Sequence, residues 1–357
     1  MSELMPLSPK WEANARAAVF HLLRKYTSLT FLDRAVDLYR NFLLAYAQQL
    51  EIPSRNQQWL EATYKDCFLQ RLVELEQGID ILGRGGDKTF AYAKLIEGGR
   101  FSDYLWGIAS EHWGISGDPF FEKLGLQHVG WGQMQGDVYR GFVKSILLTR
   151  DSLEALKCTV GFAFYCPLSF GKREDGGDRF FSHWTYESLF QEHPSPLWPH
   201  WPPFRVYPAG LLSCPEKNES NEGQVISGEA IVLDGIYEPW FFTGGVGCPN
   251  YLLKGQTAHQ YQPEGSNDLV PVRWRLLWED RRYIDGTVPA EEAHYVDIAA
   301  EISSSGRSVF SGDICPQTGN WQAPRLNNRQ EYVEHGQPMP GPASTPTGSV
   351  VWYLQND

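Results

Sequence analysis

A chain of 357 residues with 42 % hydrophobic content has enough apolar side chains for one large or two ordinary domains, each with its own core. Its net charge of -12 lies wholly in the second part, because residues 1–150 carry 17 acidic and 17 basic side chains whereas residues 151–357 carry 26 and 14. This distribution argues against binding to nucleic acid or an anionic membrane, which need a basic face, and it favours a basic partner.

The opening MSELMPLSPKWEANARAAVF has neither the basic nor the apolar region of a signal peptide, and no later stretch approaches the ~18 apolar residues of a membrane span. A soluble cytoplasmic protein with its six cysteines as reduced thiols is therefore expected.

From Ser8 to about Leu82 the apolar residues recur at helical spacing, as in Ala18, Phe20, Leu22 and Leu23 and again in Leu38, Phe42, Leu43 and Tyr46. Ser8 before Pro9 reads as an N-cap with proline at the first helical position. A second helix is predicted from about Thr30 to Gln49, before Pro53, and a third from about Asn56 to Leu82, stopped by Gly83-Arg84-Gly85-Gly86. Further helical patterns cover Thr89–Glu97, Phe101–His112 and Asp137–Leu148.

From Ala155 the text turns apolar, aromatic and β-branched in KCTVGFAFYCPLSF, where a buried strand and a short helix cannot be told apart by period. Residues 171–223 are irregular, with prolines punctuating Trp198 and Trp201 and a polar EKNESNEG loop.

The C-terminal part states one pattern twice. SGEAIVLDGIYEPW, NYLLKGQ and VRWRLLWED are followed from Ser311 by SGDICPQTGNWQAP, EYVEHGQ and VVWYLQND. The matched positions are Ser227/Ser311, Gly228/Gly312, Gly235/Gly319, Tyr237/Trp321, Tyr251/Tyr332, Gly255/Gly336, Gln256/Gln337, Val272/Val350 and Trp274/Trp352. A repeat of about fifty residues marks a duplicated supersecondary unit. Its glycines suit positive φ and its Tyr, Val and Trp suit half-buried strands, so each copy is predicted to be a small antiparallel module of three or four strands.

The expected architecture is α+β: a helical domain over 1–150, an irregular connector over 151–226, and a β-rich domain over 227–357. Its two similar modules, 227–280 and 311–357, are joined by a helix over 288–302.

Chemical motifs are absent. GRGGDKT at 83–89 misses the spacing of a phosphate loop and follows a helix, not a strand. Four cysteines precede proline, Cys166, Cys214, Cys248 and Cys315, with no Cys-x-x-Cys pair to aim two sulfurs at one ion, so no metal is expected. No nucleophile elbow, metalloprotease helix or paired carboxylate motif is found, and neither cofactor nor catalytic residue is assigned, although glycosidase carboxylates have no short signature. Trp184, Trp198 and Trp201 on the connector are candidates for a binding surface, whereas the tryptophans of the repeat read as core.

DGIYEPWF, VGCPNYLLKGQTAHQYQPEG, VRWRLLWEDRRYIDGTVPAEE, SGDICPQTGNWQAP and the closing VVWYLQND together resemble the large immunity-protein families of bacterial polymorphic toxin systems, specifically those associated with type VI secretion. The resemblance is specific over residues 227–357 and general over the helical half. It implies a protein that is not an enzyme and that binds one cognate toxin and blocks it. A basic toxin such as a nuclease would suit the acidic part of the chain.

Acidic residues beside the module turns are the expected toxin contacts: Asp234, Glu238, Glu279, Asp280, Asp285 and Asp313. The competing reading of the same residues is local salt bridging to Arg273, Arg281 and Arg282. Two other functions fit the residues: a carbohydrate-binding or carbohydrate-active protein using its tryptophans and acids, and an adaptor that loads the effector.

Overall fold

The computed structural model describes residues 12–51, 64–99, 152–160, 168–172, 178–181, 183–190, 223–266 and 268–295, most of 308–354, and a few single positions between. The helix start at Ser8–Pro9, the helices expected over 101–112 and 137–148, and most of the 171–223 connector lie outside these residues.

Helix α1, Glu12–Tyr26, buries Val19, Leu22, Leu23 and Tyr26, the i, i+3, i+4 and i+7 stripe of an amphipathic helix. Thr27 Oγ1 closes it by donating to Leu23 O at 2.7 Å. Ser28 then caps α2, Leu29–Leu50, accepting the Phe31 amide on its hydroxyl.

The third predicted helix enters as a π-helical segment, Tyr64–Leu69, and continues as α3, Gln70–Gly83. Tyr39, Phe42 and Tyr46 of α2 pack on that segment, with Phe42 and Phe68 centroids 5.2 Å apart and the Tyr39 hydroxyl on Phe68 O. Gly85 at φ 67 ends α3, and its amide and that of Gly86 take the carbonyls of Leu82 and Ile81. Asp87 then caps α4, Lys88–Gly98, accepting the Phe90 amide at 2.8 Å.

The ambiguous apolar run from Ala155 resolves into both alternatives. Residues 152–160 form a helix, α5, and the strand β1 follows at Leu168–Lys172, antiparallel to β2, Asp178–Phe181. A short α6, Tyr186–Phe190, starts from a reciprocal cap in which the Thr185 and Ser188 amides each bond the other's hydroxyl at 2.9 Å.

The C-terminal half holds two four-stranded antiparallel sheets. The first contains β3, Val225–Ile226, β4, Gly235–Phe241, β5, Asn250–Leu252, and β6, Val272–Glu279, in the order β3-β6-β4-β5. The second contains β7, Ser308–Phe310, β8, Gly319–Ala323, and β9, Arg329–Val333. After a small β10–β11 hairpin, Ser344–Thr345 and Gly348–Ser349, the last strand is β12, Val351–Leu354, and the order is β7-β12-β8-β9. In each module the first strand pairs with the last, the last with the second, and the second with the third.

The likeness extends to single hydrogen bonds. Gly255 N–H donates to Ile231 O at 2.8 Å as Gly336 N–H donates to Cys315 O at 2.9 Å. Both glycines sit at positive φ, 83 and 84, the left-handed conformation that a side chain would strain. Trp274 Nε1 reaches His259 O at 2.7 Å and Trp352 Nε1 reaches Pro340 O at 2.9 Å, and both rings are fully buried. Tyr237 and Trp321 each donate back to the carbonyl four residues earlier. The second core gathers Cys315, Trp321, Val333, Met339 and Trp352. The first gathers Trp274 and Tyr261, with His183 and His259 stacked 5.0 Å apart beside them, and Tyr237 is fully buried as well.

The helix expected over 288–302 is a 3-10 segment at Ala290–Tyr295, and residues beyond it lie outside those described. The chain divides into two compact units. One comprises Met1–Leu32, Gly78–Ala93 and Glu154–Tyr295, the other Asp33–Gln77, Lys94–Leu153 and Val296–Asp357, so each holds one of the two sheets. Among the described residues no helix is long and apolar enough to cross a membrane.

Candidate functional site

The segment leaving β6 turns a row of charges inward and then a short tip outward. Asp280 is buried and accepts Arg282 Nε at 2.8 Å, Arg282 Nη2 at 2.7 Å and the Tyr251 hydroxyl at 2.7 Å. Lys88 Nζ, buried beside them, donates to Asp280 O at 2.9 Å and lies 3.9 Å from its carboxylate. Burial by itself would raise the Asp280 carboxyl, but Arg282, Lys88 and Tyr251 outweigh it and hold the group below the usual carboxylate range.

Arg282 also donates to Arg24 O and Thr27 Oγ1, both at 2.8 Å, so one guanidinium ties the β6 exit to the corner between α1 and α2. Its plane lies 5.0 Å from the Trp278 ring, which Arg24 flanks at 4.8 Å while pairing with Glu291. Glu292, fully buried, accepts the Thr30 amide at 3.1 Å and hydroxyl at 2.8 Å, and takes the Tyr283 hydroxyl as a short hydrogen bond. Two cations and two carboxylates are thus removed from water together with their donors satisfied, the condition under which buried charge is tolerated.

Tyr283 has φ 70, the one non-glycine residue at positive φ among the described residues. Its hydroxyl accepts the Leu29 amide at 2.7 Å, which holds the ring inside while the chain reverses. Beyond it, residues 284–288 are exposed. Asp285 accepts the Thr287 amide at 3.0 Å and hydroxyl at 2.7 Å, and these bonds hold its carboxyl below the ordinary range.

The six expected contact residues therefore separate. Glu238 and Asp280 are corrected to interior positions: Glu238 is buried and pairs with Arg16 at 2.6 Å and with the Trp240 ring nitrogen at 3.2 Å. Alternation in β4 sends Glu238 to the face that α1 covers, and sequence alone could not show which face is covered. Asp234 is partly buried, accepts the Lys254 amide, and burial pushes its carboxyl up. Glu279 pairs with Arg281 at 2.7 Å, and Asp285 stands exposed on the tip. Asp313, partly exposed, lies in the second module, where its carbonyl accepts the Met339 amide. Local ion pairing holds for Glu279 with Arg281 and Asp280 with Arg282, while Arg273 lies 4.7 Å from the Phe242 ring.

The tryptophans follow packing. Trp184 is fully buried and donates to Cys158 O at 3.0 Å, so it is core and not a sugar platform, and Trp198 and Trp201 lie outside the described residues. Cys158, Cys248 and Cys315 are buried, and burial raises the Cys248 thiol. Among the described residues no group of His, Cys, Asp or Glu is placed to hold a metal.

Sequence reasoning missed Lys88, Tyr283 and Ile284. Lys88 stood in GRGGDKT, past the glycines read as a helix stop and in a stretch rejected as a phosphate loop, and a positive φ at tyrosine has no sequence signature. The Asp285-Gly286 pair, a turn dipeptide, was the available signal.

Comparison with known families gives the class to which this assembly belongs: the chain is an immunity protein, of the kind that neutralises a toxin. It belongs to the family Immunity protein 71, whose model matches residues 10–196, more than half of the chain, and the model of Immunity protein 72 matches residues 216–296. The helical half, where only a general resemblance was expected, thus carries the longer match. No curated protein and no solved structure matches the chain.

Proposed function

We propose that this immunity protein binds one cognate antibacterial toxin, a type VI secretion effector, and neutralises it by one-to-one association without catalysis. The observation that carries the reading is the acidic excess of residues 151–357, 26 acidic against 14 basic side chains, on a chain of an immunity family. A long-range negative field accelerates encounter with a basic partner. Enzymes that act on polyanions are basic around their clefts, so a nuclease suits this inhibitor. Of the six acidic residues, Asp285, Glu279 and Asp313 are exposed enough to serve as contacts, whereas Glu238 and Asp280 serve the scaffold.

Co-expression with the toxin domain encoded beside the gene tests the proposal. The expected result is survival, recovery of a one-to-one complex, and an association rate that falls as salt rises from ~50 to ~200 mM. Death of the cells with no complex recovered would refute it. A complex whose association ignores ionic strength would remove the basic-partner part alone.

A further inference from the structure

The tip at residues 284–288 stands apart from the remaining surface because the backbone is strained to display it. Tyr283 holds a left-handed conformation that glycine or asparagine would adopt at lower cost, and strain of this kind concentrates where it serves a function. The reversal turns the tyrosine ring inward and sends Ile284 outward, 67 % exposed, the highest value among the exposed large apolar side chains described.

The tip is also preformed. Arg282 and the Tyr283 hydroxyl anchor its first end to the α1–α2 corner, Gly286 N–H donates to Tyr283 O at 2.9 Å, and Asp285 holds Thr287. The start of α4 stands against it: a Cβ on Gly85 would lie 2.5 Å from Tyr283 O and 2.7 Å from Ile284 Cα. Asp87 and Phe90, which follow Gly85 in the chain, are exposed as well. A rigid apolar projection with the Asp285 carboxylate beside it loses little conformational freedom on binding, and it fits an apolar notch whose rim carries lysine or arginine.

We infer that the 284–288 tip, led by Ile284 and Asp285, is the docking element that enters a basic-rimmed cleft of the cognate toxin. The inference rests on the neutralisation reading above and deepens it. The excess negative charge of residues 151–357 selects a basic toxin as the occupant in preference to a second copy of this acidic chain.

The test uses the full-length protein and the purified toxin domain, with titration of binding and scoring of protection. Ile284→Arg and Asp285→Lys are expected to weaken the complex at least about 30-fold, the factor that corresponds to a hot-spot residue, and to abolish protection while the melting temperature stays that of the parent. Leu44→Arg, at a side chain 63 % exposed in the other unit, is expected to bind as the parent does. Parent-like binding by both tip variants would overturn the inference and leave the neutralisation reading standing. A change in self-association with toxin binding intact would overturn it in favour of a second copy. Failure of the parent itself to bind or protect would overturn the functional reading, and the inference with it.

Discussion

Tyr251 and Tyr332 occupy the same position in two sheets of the same strand order, facing Ile236 and Asn320 across matched ladders, yet Tyr251 is 3 % exposed and Tyr332 is 62 % exposed. The difference lies in what covers the sheet. In the first module α1 and α4 lie on that face: Phe20 meets Trp278 edge-on, Arg16 reaches Glu238, and Tyr92 meets the Tyr251 ring at 6.2 Å. In the second, Asn320, Gln330 and Tyr332 on the equivalent face are exposed.

Removing the two hydroxyls separates the copies. Tyr251→Phe deletes a hydrogen bond to a buried carboxylate and is expected to lower stability by about 1.5–3 kcal/mol. Tyr332→Phe is expected to stay within about 0.5 kcal/mol of the parent in the same denaturant titration. Equal effects would mean that the two positions are equivalent in energy as well as in register.

The matched glycines give a second contrast. A Cβ at Gly235 would lie 2.2 Å from Trp278 O, a backbone atom that the ladder holds, whereas at Gly319 it would meet Leu354 Cδ1 at 2.6 Å, the movable end of a side chain. Gly235→Ala is expected to cost about 3 kcal/mol and Gly319→Ala less than about 1 kcal/mol, because rigid overpacking cannot relax by a rotamer change. Thermal unfolding of the two variants side by side measures the difference.

Asp280 balances two buried cations, Lys88 and Arg282. Asp280→Asn leaves Lys88 without its anion and Arg282 with Glu292 alone, 3.7 Å away, and is expected to destabilise by about 3–5 kcal/mol. Glu279→Gln breaks a partly exposed pair with Arg281 two residues away and is expected to leave the denaturation midpoint unchanged within error. Tolerance of Asp280→Asn would show that the network is not supporting the β6 exit.

Acid should weaken the first module through its histidines. Burial pushes the His183 imidazole down to about 3 and lowers the stacked His259 as well. The unfolded chain takes up these protons near the ordinary value of about 6.5, so between the two values the unfolded state binds more protons than the folded state. Stability is therefore complete above about pH 6.5 and is lost as pH falls from there toward 3, by up to about 1.4 kcal/mol per pH unit for each such group. His183→Gln is expected to flatten the stability profile between pH 6.5 and 4 relative to the parent. Parallel profiles would contradict a buried neutral imidazole.

Much of this was readable before any coordinates. Gly255 and Gly336 announced left-handed turns, Trp274 and Trp352 announced the two cores, and Ser28, Gly85 and Asp87 bracket helices within a few residues of where periodicity placed them, since each of these signals acts over one turn or one strand pair. The docking face was far less legible. Asp280 and Asp285, five residues apart and alike in chemistry, lie one in the interior and one on the tip.

By itself the sequence determined the helical N-terminal half, the β-rich C-terminal half and the acidic excess, because local propensity and composition travel with the chain, and its wording carried the resemblance to immunity proteins. The tertiary structure alone decided which carboxylates are buried, which copy of the repeated sheet is covered, and that Tyr283 must strain so that Ile284 can project. Those outcomes depend on which distant segment reaches a given face. No residue encodes its own neighbours across two hundred positions of chain, so burial, and with it the choice between scaffold and contact surface, is settled only when α1, α4 and β6 meet.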